Sequence, residues 1–242
     1  MHSAYLSIKM DEDPNSYFYI IIETPHSGAF DYLRNSLHDT FEKTFFYLPN
    51  SISCNQELSI SDNICFWNDE NVTDFSLAGK NVQNSFDESF LFLSPYLDLS
   101  NQFESLITQF CSQGTSSIAR VLSFINANEL SKENSLLQSW LDAVAHFSDA
   151  MCITSRSNEN GKLVGNLLKR YKEMRYPMET YMISNSQRGK INSILNPTVR
   201  RISHIFDSPE LLEDQEGPLQ DPYLVNLANG KREKVIQTPF AR

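Results

Sequence analysis

The stretch Tyr17-Phe-Tyr-Ile-Ile-Ile-Glu-Thr-Pro-His-Ser-Gly-Ala-Phe-Asp-Tyr-Leu33 decides the fold. Its first six residues are apolar without alternation, and Pro25 and Gly28 interrupt the chain soon after them. A continuous apolar run is typical of a strand that is covered on both faces, as strands are in parallel sheets. Helical spacing of apolar residues begins near Tyr32. The stretch therefore predicts a buried strand, a tight turn and a helix.

The same alternation continues along the chain. We interpret four further apolar runs as strands, at residues 90–93, 121–125, 150–153 and 180–183. Segments with helical spacing lie before or between them, at residues 103–110, 136–147 and 163–171. Strand–helix alternation of this kind implies right-handed crossovers. The predicted fold class is α/β, with three layers, a mostly parallel sheet and helices on both faces.

Two regions depart from the alternation. Residues 50–89 are rich in Asn, Ser and Asp around one apolar island at 64–67, and we interpret them as a long excursion from the sheet. Beyond Ser184 the pattern weakens, with one or two short helices that Pro197 interrupts. We therefore expect one domain over residues 1–184 and a helical or irregular C-terminal extension over residues 185–242.

Composition excludes several classes of protein. The chain has 242 residues, of which 40% are hydrophobic and 21% charged, as in ordinary globular proteins. Its net charge of -10 argues against nucleic-acid or membrane partners, because phosphate contacts need clustered cations. No apolar run approaches the length of a membrane span, the N-terminus lacks a signal-peptide core, and the four cysteines form no CxxC pair. We expect a cytoplasmic protein with free thiols.

The turn after the first strand is where a phosphate would bind, because free backbone N–H groups and the helix dipole favour an anion there. The pattern for such a loop is Gly-x-x-x-x-Gly-Lys-Ser/Thr. Here Thr24 and Ala29 stand for the two glycines, Phe30 for the lysine and Asp31 for the Ser/Thr, while Gly28 occupies a variable position. Phe30 offers no charge to a phosphate. Asp31 brings a negative charge to the helix start, where we interpret it as the N-cap.

Three further segments match, in order, the motifs of one family. Leu48-Pro-Asn-Ser-Ile-Ser-Cys54 is similar to a metal motif, Leu-Pro-Asn-Gly-Cys-x-Cys-Cys, with serine at two of the thiol positions. The strand that ends in Ile125-Asn-Ala127 is similar to one that ends in Val-Asp-Ala. Residues 147–157 are similar to the base-recognition segment Ala-Asp-x-x-x-x-Asn-Lys-x-Asp. The family is that of the CobW/HypB/UreG-type P-loop GTPases, which includes metallochaperones.

The resemblance implies a P-loop NTPase-like fold and a degenerate nucleotide site. In the base-recognition segment Thr154, Ser155 and Ser157 replace Asn, Lys and Asp, and a serine cannot reproduce the paired hydrogen bonds that the aspartate makes to guanine. Without the loop lysine and the Mg²⁺-binding hydroxyl, charge on a transferring phosphate is not stabilised. The nucleotide-site positions are Gly28, Ala29, Phe30, Asp31, Thr154 and Ser157.

These departures predict a family member that has lost GTP hydrolysis, has no catalytic residue and acts through protein–protein contacts. We expect no cofactor, and a protein partner that the sequence does not identify. In the metal motif Cys54 is the thiol that remains, and it could bind a metal together with His26 or with carboxylates.

Two alternatives stay open. One is an active GTP-dependent metallochaperone. Its ligands would be GTP together with Mg²⁺, or else Zn²⁺ as the bound metal. The other is an enzyme with an unrelated small-ligand site at the carboxyl ends of the strands, where open α/β sheets bind ligands. The residues that those ends supply are Glu23, Thr24, Ser94, Asn126, Thr154 and Ser184.

Overall fold

A computed structural model describes residues 17–52, 62–70, 86–113, 118–131, 134–184, 190–207 and 221–241. Seven strands form one sheet in which every neighbouring pair is parallel, in the order β3-β2-β4-β1-β5-β6-β7. The strands are β1 (Tyr17–Glu23), β2 (Thr44–Pro49), β3 (Ile64–Trp67), β4 (Glu88–Phe92), β5 (Ile118–Asn126), β6 (Ala150–Thr154) and β7 (Glu179–Met182).

Five α-helices cover the sheet in the described part of the chain: α1 (Ala29–Ser36), α2 (Leu99–Gln113), α3 (Ser135–Phe147), α4 (Gly161–Glu173) and α5 (Ile191–Leu195). Helices α1 and α5 pack on one face, and α2, α3 and α4 pack on the other. The predicted α/β architecture, three layers with a parallel sheet and helices on both faces, is confirmed. None of the described helices combines the length and apolar character that a bilayer span requires.

Strand β1 lies at the centre of the sheet, and this position explains why its sequence is continuously apolar. It pairs with β4 on one side and with β5 on the other. Successive side chains of a strand point to opposite faces. Ile20 and Ile22 therefore join the cluster under α2, α3 and α4, while Tyr19 and Ile21 join the cluster under α1 and α5.

The predicted excursion over residues 50–89 is wrong in its central part, because the apolar island is strand β3. Its four residues pair in register with β2, from Phe46 with Ile64 to Pro49 with Trp67. The Trp67 indole N–H donates to the carbonyl of Phe92 at 3.1 Å, which joins β3 to the end of β4. Strand β2, which the sequence analysis did not identify, is buried along its whole length.

Residues 190–207, which follow β7, bond to the amino end of β6. The buried carboxylate of Asp149 accepts from the backbone N–H of Arg200 at 2.6 Å and from the guanidinium of Arg201 at 2.7 Å. Residues 221–241 pack on the face that carries α3, where the ring of Phe240 meets Trp140 edge-on at 5.3 Å.

The buried side chain of Arg120, in β5, also forms hydrogen bonds with residues 190–207. It is fully buried and donates to the carbonyls of Ser193 at 3.1 Å, Ile194 at 2.7 Å and Thr198 at 3.2 Å. Its remaining terminal nitrogen donates to the carboxylate of Glu179 at 2.6 Å. One guanidinium thus joins β5, β7 and the segment around α5.

We expect Arg120→Lys to lower the free energy of unfolding by about 3 kcal/mol, because a lysine ammonium cannot reach three carbonyls and a carboxylate at once. Urea denaturation monitored by circular dichroism measures the change. The matched control is Arg170→Lys, since Arg170 pairs with Asp142 at the surface and should lose less than about 1 kcal/mol. Equal losses in the two variants would contradict this account.

Candidate functional site

The loop between β1 and α1 is fixed at the carboxyl edge of the sheet by Asn126, the last residue of β5. The Asn126 side-chain amide donates to the carbonyls of His26 at 3.1 Å and Pro25 at 3.4 Å. Its backbone N–H donates to the hydroxyl of Thr24 at 2.7 Å. An aspartate, which the related motif carries at this position, has no N–H to donate to these carbonyls. The loop conformation therefore depends on the amide.

Helix α1 starts at Ala29, so the prediction that Asp31 is its N-cap is wrong. The N-cap is Gly28, whose φ of 72° lies in the left-handed region that residues with a Cβ avoid. The Ser27 hydroxyl accepts a hydrogen bond from the Ala29 N–H at 3.1 Å and donates to the carboxylate of Glu23. Asp31 lies exposed in the first turn, where its charge still interacts favourably with the helix dipole.

Phe30, at the position of the family's lysine, is a core residue. Its side chain is buried, and its ring meets Phe46 edge-on at 5.3 Å and Phe92 at 6.2 Å. Aromatic pairs at these distances stabilise a core beyond the area that they bury. This position of the loop is therefore used to pack α1 on the sheet.

A cavity of about 340 Å³ lies in front of the loop. Residues 23–31 line it together with Ser51, Ile52, Pro95 and Tyr96. Two carboxylates, Glu23 and Asp31, belong to this lining, which contains no lysine or arginine among the described residues. Burial raises the pKa of Glu23 to about 7, and the hydrogen bond from Ser27 opposes that rise. The described part of this lining therefore presents carboxylates, rather than a lysine or arginine, to any ligand in the cavity.

The segment that resembles a base-recognition motif is closed by its own hydrogen bonds. Thr154 is buried at the end of β6, and its hydroxyl donates to the carbonyl of Ile125 at 3.4 Å. The side chain of Asn160 accepts from the backbone N–H of Ser157 at 2.8 Å and donates to the carbonyl of Ser155 at 3.0 Å. Asn160 thus organises the loop between β6 and α4 through its side-chain hydrogen bonds.

The structure brings some of the predicted site residues together and separates others. A second cavity, of about 570 Å³, lies between α1 and the end of β6, and Gly28, Asp31 and Thr154 line it together. Ala29 and Phe30 line the cavity in front of the loop instead. Ser157 is exposed and lines neither of these two cavities.

The segment that resembles a metal motif is described only up to Ile52, so Cys54 lies outside the described residues. Ser51 donates to Asp69 with its backbone N–H at 3.2 Å and with its hydroxyl at 2.5 Å. The Ser94 hydroxyl donates to the same carboxylate at 2.7 Å. Asp69 therefore joins the ends of β2, β3 and β4. The described residues contain no group of three or more His, Cys, Asp or Glu that could hold a metal ion.

Two of the four cysteines lie in described strands. Cys152 is buried in β6 and Cys65 is half-buried in β3, and neither forms a disulfide with another described residue. Burial raises the pKa of the Cys152 thiol far above its ordinary value, because a thiolate is costly in an apolar core. Cys152 is therefore a core residue without thiolate chemistry.

The sequence analysis missed three residues that organise this edge of the sheet: Ser27, Asp69 and Asn160. Each had a signal, because Ser, Asp and Asn bond to nearby backbone at turns and helix starts. Ser27 precedes the glycine before α1, Asp69 follows the apolar island of β3, and Asn160 precedes α4.

No family model matches the sequence and no curated protein matches it. Among solved structures, the chain is similar to the LAO/AO transport system kinase at 10% identity and a TM-score of 0.44, covering 74% of this chain and 57% of that one. It is similar to the Zn(II)-bound YjiA GTPase from E. coli at 11% identity and a TM-score of 0.45. That match covers 75% of this chain and 61% of the YjiA chain. It is also similar to a Zn(II)-bound triple mutant of the YjiA GTPase, at 10% identity and a TM-score of 0.44. That match covers 76% of this chain and 62% of the mutant's chain.

The chain thus spans about three fifths of the length of the solved structures that it matches. At 10–11% identity, these likenesses concern the fold and carry no activity over to this chain.

The buried carboxyl group of Glu23 predicts a pH-dependent stability. Its folded-state pKa of about 7 exceeds its ordinary value of 4.5, so between these values the folded protein holds a proton that the unfolded chain has released. Stability contributed by this proton is complete below pH 4.5 and decreases by on the order of 3 kcal/mol as the pH rises to about 7. Urea denaturation as a function of pH measures this decrease.

In Glu23→Gln we expect this decrease to be absent, because the amide does not titrate. The exposed Glu159→Gln serves as the control and should keep the wild-type slope. The same slope in Glu23→Gln as in the wild type would show that Glu23 does not titrate in this range.

Asn126→Asp should lower the free energy of unfolding by about 2 to 3 kcal/mol. The substitution removes the donors to Pro25 and His26 and places a charge against their carbonyls. Asn128→Asp is the matched control, because the Asn128 side-chain oxygen accepts from Asn160 at 2.9 Å and an aspartate keeps that acceptor. We expect the control to lose less than about 1 kcal/mol in urea denaturation. Comparable losses in both variants would contradict the role assigned to the amide.

Proposed function

We propose that this chain is a P-loop GTPase-like protein of the CobW type that has lost GTP hydrolysis and acts through contacts with a protein partner. The observation that carries the proposal is the loop before α1, where Phe30 is packed in the core and two carboxylates line the cavity. The proposed protein is cytoplasmic, holds no cofactor and binds neither nucleic acid nor membrane, in keeping with its net charge of -10.

Electrostatics oppose a triphosphate in this loop. Two unit charges about 4 Å apart interact by about 4 kcal/mol at the effective dielectric of a protein surface. A lysine in the loop would contribute attraction of this order, whereas Glu23 and Asp31 contribute repulsion when they are ionised. The N–H groups at the start of α1 remain, but the Ala29 N–H already donates to Ser27. Phosphate binding here would have to overcome the charge of the loop.

The segment that resembles the base-recognition motif also lacks the carboxylate that would pair with guanine. The N–H of Ser157 donates to Asn160, and its hydroxyl offers one rotatable group where the family has a carboxylate. The loop also contains Arg156, which is exposed and lines the cavity beside α1. A base could enter that cavity, but the carboxylate in its lining, Asp31, belongs to α1 and not to the segment that resembles the base-recognition motif.

The two alternatives have weaker support. An active metallochaperone would need both the missing phosphate cation and further ligands for Cys54, and Ser51 is already bonded to Asp69. An enzyme with a small-ligand site would use the polar residues at the carboxyl edge. At least five of these residues already form hydrogen bonds within the protein: Glu23, Thr24, Ser94, Asn126 and Thr154.

Nucleotide binding tests the proposal. A ligand at 100 times its Kd stabilises the folded state by about 2.7 kcal/mol, so binding at micromolar affinity would raise the melting temperature measurably. With millimolar GTP and Mg²⁺ we expect no rise and no release of phosphate. Guanosine without phosphates serves as a control for a base site that persists alone. A saturable, Mg²⁺-dependent rise with GTP would overturn the proposal.

A further inference from the structure

A large cavity of about 920 Å³ lies at the amino edge of the sheet, opposite the loop before α1. It opens between α5 and the C-terminal end of α1, on the face of the sheet that these two helices cover. The first residues of four strands line it: Tyr17 of β1, Thr44 of β2, Glu88 of β4 and Glu179 of β7. None of these residues belongs to the site described above.

Glu88 is the carboxylate in this cavity whose charge is not balanced. Among the described residues it has no ion-pair partner, whereas Asp87 pairs with Lys43 at 3.5 Å. Glu179 pairs with Arg120 and with Arg200. Burial, and next the charge of Asp87, raise the pKa of Glu88 above its ordinary value. The ionised carboxylate would therefore gain from a cation brought by a ligand.

Aromatic side chains accompany this carboxylate. Tyr17 and Thr44 are the register partners of Glu88 on the two adjacent strands, so their side chains share its face of the sheet. Tyr17 and Tyr181 are both half-buried and line the cavity. The hydroxyl of Tyr181 donates to Glu179 at 2.9 Å, which fixes the position of its ring. Tyr17 thus lies on the strand next to Glu88, while Tyr181 lines the same cavity from β7, three strands beyond Tyr17.

The helix that ends here adds to the negative potential. The last carbonyls of a helix carry partial negative charge, and Leu37 at the end of α1 lines the cavity. The cation in the lining, Lys43, is exposed and is already paired with Asp87. An anionic ligand would therefore meet carboxylates and a helix C-terminus. A cationic ligand would meet complementary charge.

We infer that this cavity binds an arginine side chain of the protein partner. A guanidinium is planar, stacks on tyrosine faces and donates to a carboxylate in a fork, and it is more weakly hydrated than an ammonium. The inference deepens the proposed function and depends on it for the identity of the occupant as a protein. The charged site within the cavity depends on Glu88 and on the neighbouring ring of Tyr17, independently of that proposal.

The experiment uses the full-length chain and Nα-acetyl-arginine amide as the probe, followed by two-dimensional NMR of backbone amides. We expect saturable shifts at the starts of β1 and β4. Glu88→Gln should weaken binding about five- to tenfold, because it removes the charge and keeps the shape. Tyr17→Leu should also weaken binding, because it removes the ring face. Nα-acetyl-citrulline amide, the uncharged isostere of the probe, should not bind.

Two control measurements test whether Glu88 acts through its charge in the cavity. Glu159→Gln, outside the cavity, should bind the probe as the wild type does. Glu88→Gln should remain folded, since burial already disfavours its charge, and its melting temperature checks this. Equal binding of the citrulline and arginine probes, equally tight binding of Nα-acetyl-lysine amide, or unchanged binding by Glu88→Gln would overturn the inference. GTP binding tests the proposed function separately, so either can fail alone.

Discussion

The hydrogen bonds of Asn126 hold the carboxyl edge of the sheet in its observed form. The Asn126 side chain joins the end of β5 to the loop before α1. The backbone N–H of the same residue donates to the hydroxyl of Thr24, the first residue after β1. Once the loop is held in this way, Gly28 takes its left-handed conformation, α1 begins at Ala29, and Phe30 faces the core. The chemistry that the edge offers follows from this conformation.

The two edges of the sheet consequently differ in character. At the carboxyl edge the hydroxyls of Thr24, Ser27 and Ser94 form hydrogen bonds within the protein. These hydrogen bonds hold the loops at that edge. At the amino edge the buried guanidinium of Arg120 balances Glu179, while Glu88 lies beside an open space and has no ion-pair partner within the described part of the chain. The described polar groups of the carboxyl edge are thus structural, and the amino edge keeps a carboxylate available to a ligand.

The strands that could be predicted from the sequence carry unbroken or nearly unbroken apolar runs. Residues 17–22 and 150–153 are apolar throughout and residues 121–125 contain only Ser123 as a polar residue, because helices cover both faces of these strands. Strand β3 has only four residues within polar sequence, and its place depends on pairing with β2. The cap at Gly28 was missed for a similar reason, since the roles of Ser27 and Glu23 depend on a fold that brings them together.

The central place of β1 has a consequence for biosynthesis. Ile20 pairs with Leu91 on one side and with Val121 on the other, so β1 is synthesised well before both of the strands that flank it. At about 5 to 20 residues per second, β5 is made roughly 5 to 20 s after β1. Until β4 is made, β1 has neither neighbour, and non-local parallel pairing is slow to form. A nascent chain of this topology therefore exposes an unpaired apolar strand until the strands that flank it have been synthesised.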